Sequence, residues 1–116
     1  MASFPATRLR RLRRTEALRE LVRETRLTTD DLAYPVFVGP GSGIEEPLQG
    51  LPGIARRSVD RLCDEAEAVA ALGIRALLVF GIPEEKDDVA SGAYAEDGIV
   101  QRALRALRER VPELVL

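Results

Sequence analysis

Histidine and tryptophan do not occur in this chain, cysteine occurs once, and aromatic residues fill only 4% of its 116 positions. Each shortage closes a route. Without histidine there is no Ser-His or Cys-His pair to raise a nucleophile. The lone Cys63 forms no disulfide within the chain, which fits a reducing, cytoplasmic setting. A structural zinc site made by this chain alone lacks its usual Cys and His ligands. No apolar run nears the roughly 18 residues that cross a bilayer. Residues 1–14 lack the apolar stretch of a secretory signal. A membrane is therefore not an expected partner.

Lysine is almost as scarce. Lys86 is the one lysine, and every other basic residue is arginine. The net charge of −2 is unevenly spread. Residues 1–26 hold eight arginines and three glutamates, leaving nine basic against sixteen acidic side chains in the remainder. Such a split suggests a basic arm on an acidic body. Within the arm, "RLRRLRR" (Arg8–Arg14) carries Arg10, Arg11, Arg13 and Arg14 around Leu9 and Leu12. The interleaved aromatics that grip single-stranded nucleic acid are missing, so nucleic acid is not the expected partner. A docking arm for a neighbouring subunit's acidic surface and an ordinary solvated tail both stay open.

What the chain does have is alternation. Hydrophobic residues make up 46% of it, so it can bury a core. From Thr15, a fitting N-cap, Ala17, Leu18, Leu21 and Val22 recur on one helical face. "YPVFV" (Tyr34–Val38) reads as a buried strand, with Pro35 restricted to its start or an edge. A long loop, residues 39–57, is expected next. Ser58 then caps a helix carrying Val59, Leu62, Cys63, Ala66 and Val69, which Gly73 stops. Cys63 on that apolar face is expected to be a packed core thiol. "IRALLVFG" is a second strand. Asp97 is expected to cap a third helix with Ile99, Val100, Ala103, Leu104 and Leu107 on one side. Val111-Pro112 ends it, and "ELVL" from Glu113 begins a third strand. Strands alternating with amphipathic helices imply an α/β fold with about three parallel strands.

Two loops at strand ends invite chemistry. "GPGSG" (Gly39–Gly43) follows a strand as a phosphate loop would. It lacks the G-K-[ST] ending, and no helix opens directly behind it. A flexible loop and a small phosphate site are both open readings. Lys86 sits just past the second strand among Glu84, Glu85, Asp87 and Asp88. An imine-forming lysine needs burial or a neighbouring cation, whereas these acids favour its charged form. Lys86 therefore reads as a hydrated loop lysine paired to an acid, not a nucleophile.

Taken together, "LRELVRET", "YPVFV", "LPGIARRSVDRL" and "LLVFGIPEEKDD", followed by "GAYAEDGIVQRALRALRERVPEL", resemble the porphobilinogen synthase (delta-aminolevulinic acid dehydratase) family. The resemblance spans residues 10–116. It implies a TIM (β/α)8 barrel with an extended N-terminal arm that embraces a neighbouring subunit in a homo-oligomer. It also implies condensation of two 5-aminolevulinate molecules to porphobilinogen, on the way to haem, through paired lysines with zinc or magnesium. Mapped onto this sequence, residues 1–28 would be the arm and residues 29–116 an incomplete barrel. Arg10, Arg11, Arg13 and Arg14 would belong to the oligomer arm. Phe80 would be an apolar wall of the substrate pocket. Lys86 matches a loop "K-D" pair rather than an imine-forming lysine. In the family the reactive lysines and metal ligands follow the third strand, so the resemblance implies an amino-terminal piece, inactive by itself. The alternative is a non-enzymatic α/β interaction module whose basic arm binds an acidic partner.

Overall fold

The computed structural model describes residues 3–116. Its strands are β1 (Ala33–Val38), β2 (Glu45–Pro47), β3 (Ala55–Arg57) and β4 (Ala76–Gly81). Its helices are α1 (Glu16–Leu21), α2 (Val59–Ala71), α3 (Ser91–Tyr94) and α4 (Ile99–Arg110). The strands form one sheet in the order β2-β3-β1-β4. β1 runs parallel to both β3 and β4, and β2 is antiparallel to β3.

β1 and β4 lie in register from Ala33 opposite Ala76 to Val38 opposite Gly81. Because side chains alternate along a strand, Tyr34, Val36, Val38, Leu77 and Val79 share one face. α2 and α4 cover that face, and the core between them includes Leu62, Cys63, Ala66 and Leu107. Cys63 is a packed core residue, as its place on the apolar stripe implied. The opposite face carries Pro35, Phe37, Leu78 and Phe80. Nothing among the described residues covers it fully: Leu78 is 54% exposed.

Pro35 stands at the edge that suits it. Gly39 donates its N–H to Arg57 O while Ile82 donates to Val38 O. Odd-numbered residues of β1 therefore point toward β3. β3 reaches only Phe37 and Val38, so the missing N–H of Pro35 leaves no bond of the sheet unmade.

The helix ends follow from local chemistry. Thr15 Oγ1 accepts from Leu18 N–H at 3.2 Å, as a capping threonine should. Ser58 is the N-cap residue of α2, but its hydroxyl accepts instead from Ile44 N–H at 2.9 Å. It ties the preceding loop to the helix start. Past α2, Gly73 adopts φ +88. Its N–H reaches Ala70 O at 2.9 Å, and Ile74 N–H reaches Val69 O at 3.4 Å, a Schellman closure.

Three sequence expectations are corrected. Gly98, not Asp97, caps α4. A Cβ at position 98 would come within 2.6 Å of Gly92 O, so the chain passes too close there for a side chain. The loop 39–57 is not without structure, since it contains the β2–β3 hairpin. "ELVL" does not form a strand. Leu114 turns into the core at 1% exposure, and only Val115 pairs, in a single parallel bridge to Ala76. The third parallel strand is β3.

Residues 3–32 contain no buried residue. Among the described residues the apolar stripe of α1 is largely uncovered: Leu18 is half-buried and Leu21 is 79% exposed. The molecule is accordingly drawn out, 58 × 34 × 24 Å.

Leu107 is fully buried where α4 meets the sheet. Leu107→Ala is expected to cost about 2–5 kcal/mol, read as a fall in the urea midpoint. An unchanged midpoint would contradict the core described here.

Candidate functional site

In parallel α/β sheets, functional groups gather where the strands end at their carboxyl side. Here β1 runs out into Gly39–Ile44 and β4 into Ile82–Gly98. On the uncovered face, the Phe37 and Phe80 rings stack with centroids 5.2 Å apart and planes 20° from parallel. Such a pair adds about 0.5–1.5 kcal/mol beyond its burial. Arg56 stands opposite Phe37 in the register and so shares that face. Its guanidinium holds Glu46 at 2.6 Å. Its stem crosses Gly39, where a Cβ would come within 2.8 Å of Arg56 Cδ. Glycine at 39 thus makes room for the arginine.

One step along the chain, Arg57 faces the helices instead. It pairs with Glu45 at 2.8 Å and with Glu65 of α2 at 3.4 Å. The Tyr34 hydroxyl donates to Glu65 at 2.8 Å. That bond, reinforced by burial, pushes the Tyr34 phenol above its usual range. Tyr34, Glu65, Arg57 and Glu45 thus link β1, α2, β3 and β2 in one polar chain.

The residues singled out in the sequence do not converge. Phe80 lies on the bare face, 43% exposed. Arg10, Arg11, Arg13 and Arg14 are exposed in and around a 3-10 turn at Arg11–Arg13. In the Gly39–Gly43 turn, Gly43 N–H already donates to Asp60 Oδ2 at 2.8 Å. Hydrogen bonds from Ser58, then Gly43, hold Asp60 below the usual carboxylate range. A phosphate there would meet a carboxylate anion, so the turn is no phosphate cradle.

Lys86 is exposed and borders a cleft of about 360 Å³ beyond β4, floored by Gly81, Ile99 and Val100. Contrary to expectation, it forms no ion pair with its acidic neighbours among the described residues. Asp87 is drawn to Ser91, accepting from its hydroxyl and, at 2.9 Å, from its N–H. Those two bonds, the hydroxyl's first, hold Asp87 below the usual aspartate range.

Among the described residues, no three His, Cys, Asp or Glu side chains gather to hold a metal. Burial also pushes the Cys63 thiol up, away from a metal-binding thiolate. The described residues do not fit a zinc or magnesium site. Sequence reasoning missed the Arg56–Glu46 pair. Its signal was the matched doublets Glu45-Glu46 and Arg56-Arg57, ten to twelve residues apart.

Parallel strands, a helix layer on one face only and loops gathered at one end define an arc of a β/α barrel. Comparison with known proteins agrees. The family described as "Delta-aminolevulinic acid dehydratase" matches residues 6–116. An enzyme of that description from Synechocystis sp. is 50% identical over 97% of this chain and 35% of its own length. One from Bacillus subtilis is 45% identical over 94% of the chain and 34% of its own. A solved structure of the Toxoplasma gondii enzyme, in complex with the reaction product porphobilinogen, superposes with a TM-score of 0.85 at 33% identity. That match covers 93% of this chain and 31% of the other. The chain belongs to the delta-aminolevulinic acid dehydratase family, and its fold is the opening of a TIM barrel. It spans about a third of the length of these relatives.

Two predictions follow from this geometry. Arg57 is 13% exposed and serves two carboxylates, whereas Arg61 is half-exposed with Asp64 at 3.8 Å. Arg57→Ala should therefore destabilise by about 1–3 kcal/mol. Arg61→Ala should cost about 0.5 kcal/mol or less. Equal losses in urea titrations would refute the ranking. The lowered pKa of Asp87 makes a stabilising contribution that is complete above the ordinary aspartate value, about 3.9. It is lost as pH falls through the lowered value. NMR of the Ser91 amide should show the contact released on acidification, and already absent at neutral pH in Asp87→Ala.

Proposed function

We propose that this chain supplies the opening arc of a cytoplasmic hydro-lyase that condenses two 5-aminolevulinate molecules to porphobilinogen in tetrapyrrole synthesis. In this reading residues 1–28 are the arm and residues 29–116 the partial barrel. Family membership supports it, as does the neighbour solved with porphobilinogen. The observation that carries it is the uncovered apolar face headed by the Phe37–Phe80 stack. In a closed barrel that face is the interior, and its upper end borders the reacting centre.

The role of this arc is then to shape and dry the pocket. Phe80 is an apolar wall that excludes water, and Arg56, fixed by Glu46, stands at the rim. Proton transfer and imine formation fall to other polypeptide. There is no histidine, and the single lysine is exposed outside the barrel face. The family's zinc or magnesium would likewise be held by residues other than these. Arg10, Arg11, Arg13 and Arg14 belong to an arm that docks on a neighbouring subunit of a homo-oligomer. The exposed leucines of that arm support this role, since the described residues of its own chain leave them largely uncovered.

The test is fragment complementation. The purified chain, given 5-aminolevulinate with zinc or magnesium, is expected to form no porphobilinogen above a blank. Co-expression with the remaining two thirds of a close relative is expected to restore turnover. Phe80→Asp in the reassembled enzyme should cut kcat/KM by at least about tenfold by wetting the pocket wall. Turnover by the chain alone would overturn the division of labour. A reassembled enzyme indifferent to Phe80→Asp would remove Phe80 from the pocket.

A further inference from the structure

We propose that residues 82–98 form a two-position cover over the end of β4, held in the position seen here by Gln101 and Arg105 of α4. Two irregularities point to it, and both lie in this one place. Ala90, in the middle of the segment, adopts φ +53, the one positive φ outside glycine among the described residues. A side chain there is strained, and strain of this kind clusters at active sites, ligand clamps and switch segments. The second is Gln101 Oε1. It is the one buried side-chain polar atom without a hydrogen-bond partner among the described residues. The orientation of that amide is fixed, because its Nε2 donates to Ala93 O at 2.7 Å. Exchanging the two atoms would set two acceptors against each other.

Few contacts hold the segment in its seat. None of its residues is buried. Beyond the Gln101 bond, Arg105 Nη2 donates to Glu96 O at 2.7 Å, and Asp87 closes the turn onto Ser91. A segment pinned by exposed polar bonds opens locally at low cost. Lifting it releases both irregularities together: Ala90 leaves the left-handed region, and Gln101 Oε1 reaches water. The same motion uncovers the cleft floored by Gly81, Ile99 and Val100. The cover is argued from this chain's own contacts. Only its consequence, control of access to the strand ends, rests on the enzymatic reading above.

Hydrogen–deuterium exchange on the intact chain tests the proposal without any assay of activity. Amides of 84–97 are expected to exchange as one unit, faster than those of β1, β4 and α2. Gln101→Leu and, separately, the exposed Arg105→Ala should each speed that unit about tenfold while leaving the core strands unchanged. Ala90→Gly, which relieves the strain of the seated form, should slow it several-fold. Unaltered exchange in both α4 variants, or acceleration spread equally through α2 and β1, would overturn the proposal. The first result would mean that these bonds do not hold the segment. The second would make Gln101 and Arg105 parts of the general fold.

Discussion

A parallel sheet needs cover on both faces, and here only one has it. On the helix side the packing is complete: Val38, Leu62 and Leu107 have no exposure at all. On the other side Leu78 and Phe80 stand half open to water. Neither the arm nor the long loops relieve this imbalance. Its resolution is curvature: a sheet that bends away from its helices makes its bare face the inside of a barrel. Both edges agree with that resolution. At β4, Arg75 just before the strand and Leu77 within it already bracket Val115 with backbone bonds of 2.9 and 2.8 Å, the register of a further parallel strand. On β1, the hairpin strand takes only Phe37 and Val38, leaving the lower half of the edge free.

The hairpin shows how few apolar atoms such a piece needs when charge is well placed. β2 and β3 have three residues each. Their cross-strand partners are Glu45 with Arg57 and Glu46 with Arg56. Because strand side chains alternate, adjacent arginines go to opposite faces. Arg57 enters the helix side, where Glu65 and Tyr34 extend the contact into α2 and β1. Arg56 goes to the bare side and lies over Gly39. One dipeptide therefore anchors the hairpin to the core and sets a cation on the bare face.

Much of this was legible in the sequence. Val36 and Val38, and then Leu77 and Val79, sit in apolar runs bounded by glycine, so β1 and β4 could be placed from pattern. The 3.6-residue spacing of Leu62, Cys63, Ala66 and Val69 gave α2, and its end was marked by Gly73. The hairpin was not legible, because three-residue charged strands carry no apolar alternation and are held by partners distant in sequence. "ELVL" misled for the opposite reason. Its composition suits a strand, and Val115 does bond in parallel register beside β4, but the pairing stops at that one bridge while Leu114 is buried in the core. The position of Phe80 at the end of β4 was readable from the apolar run that Gly81 closes. Gln101 and Arg105 were not, since their role lies in carbonyls eight and nine residues earlier, which only folding brings near.

The arm follows from the same reasoning about cover. α1 has six residues, far below the roughly 12–15 at which an isolated helix becomes marginal in water. Thr15 caps it, and Glu16 complements its dipole, yet together these contribute only about 1–2 kcal/mol. A helix that short gains its stability from a surface, and the described residues of its own chain offer little: Leu9, Leu21 and Leu27 are each at least 75% exposed. The surface it needs must bury leucines and receive arginines at once. The body of this chain, with sixteen acids against nine basic residues beyond position 26, has the charge of such a surface. Among the described residues the arm does not fold back onto that body, and the proposed docking on a second copy would bring the two charges together.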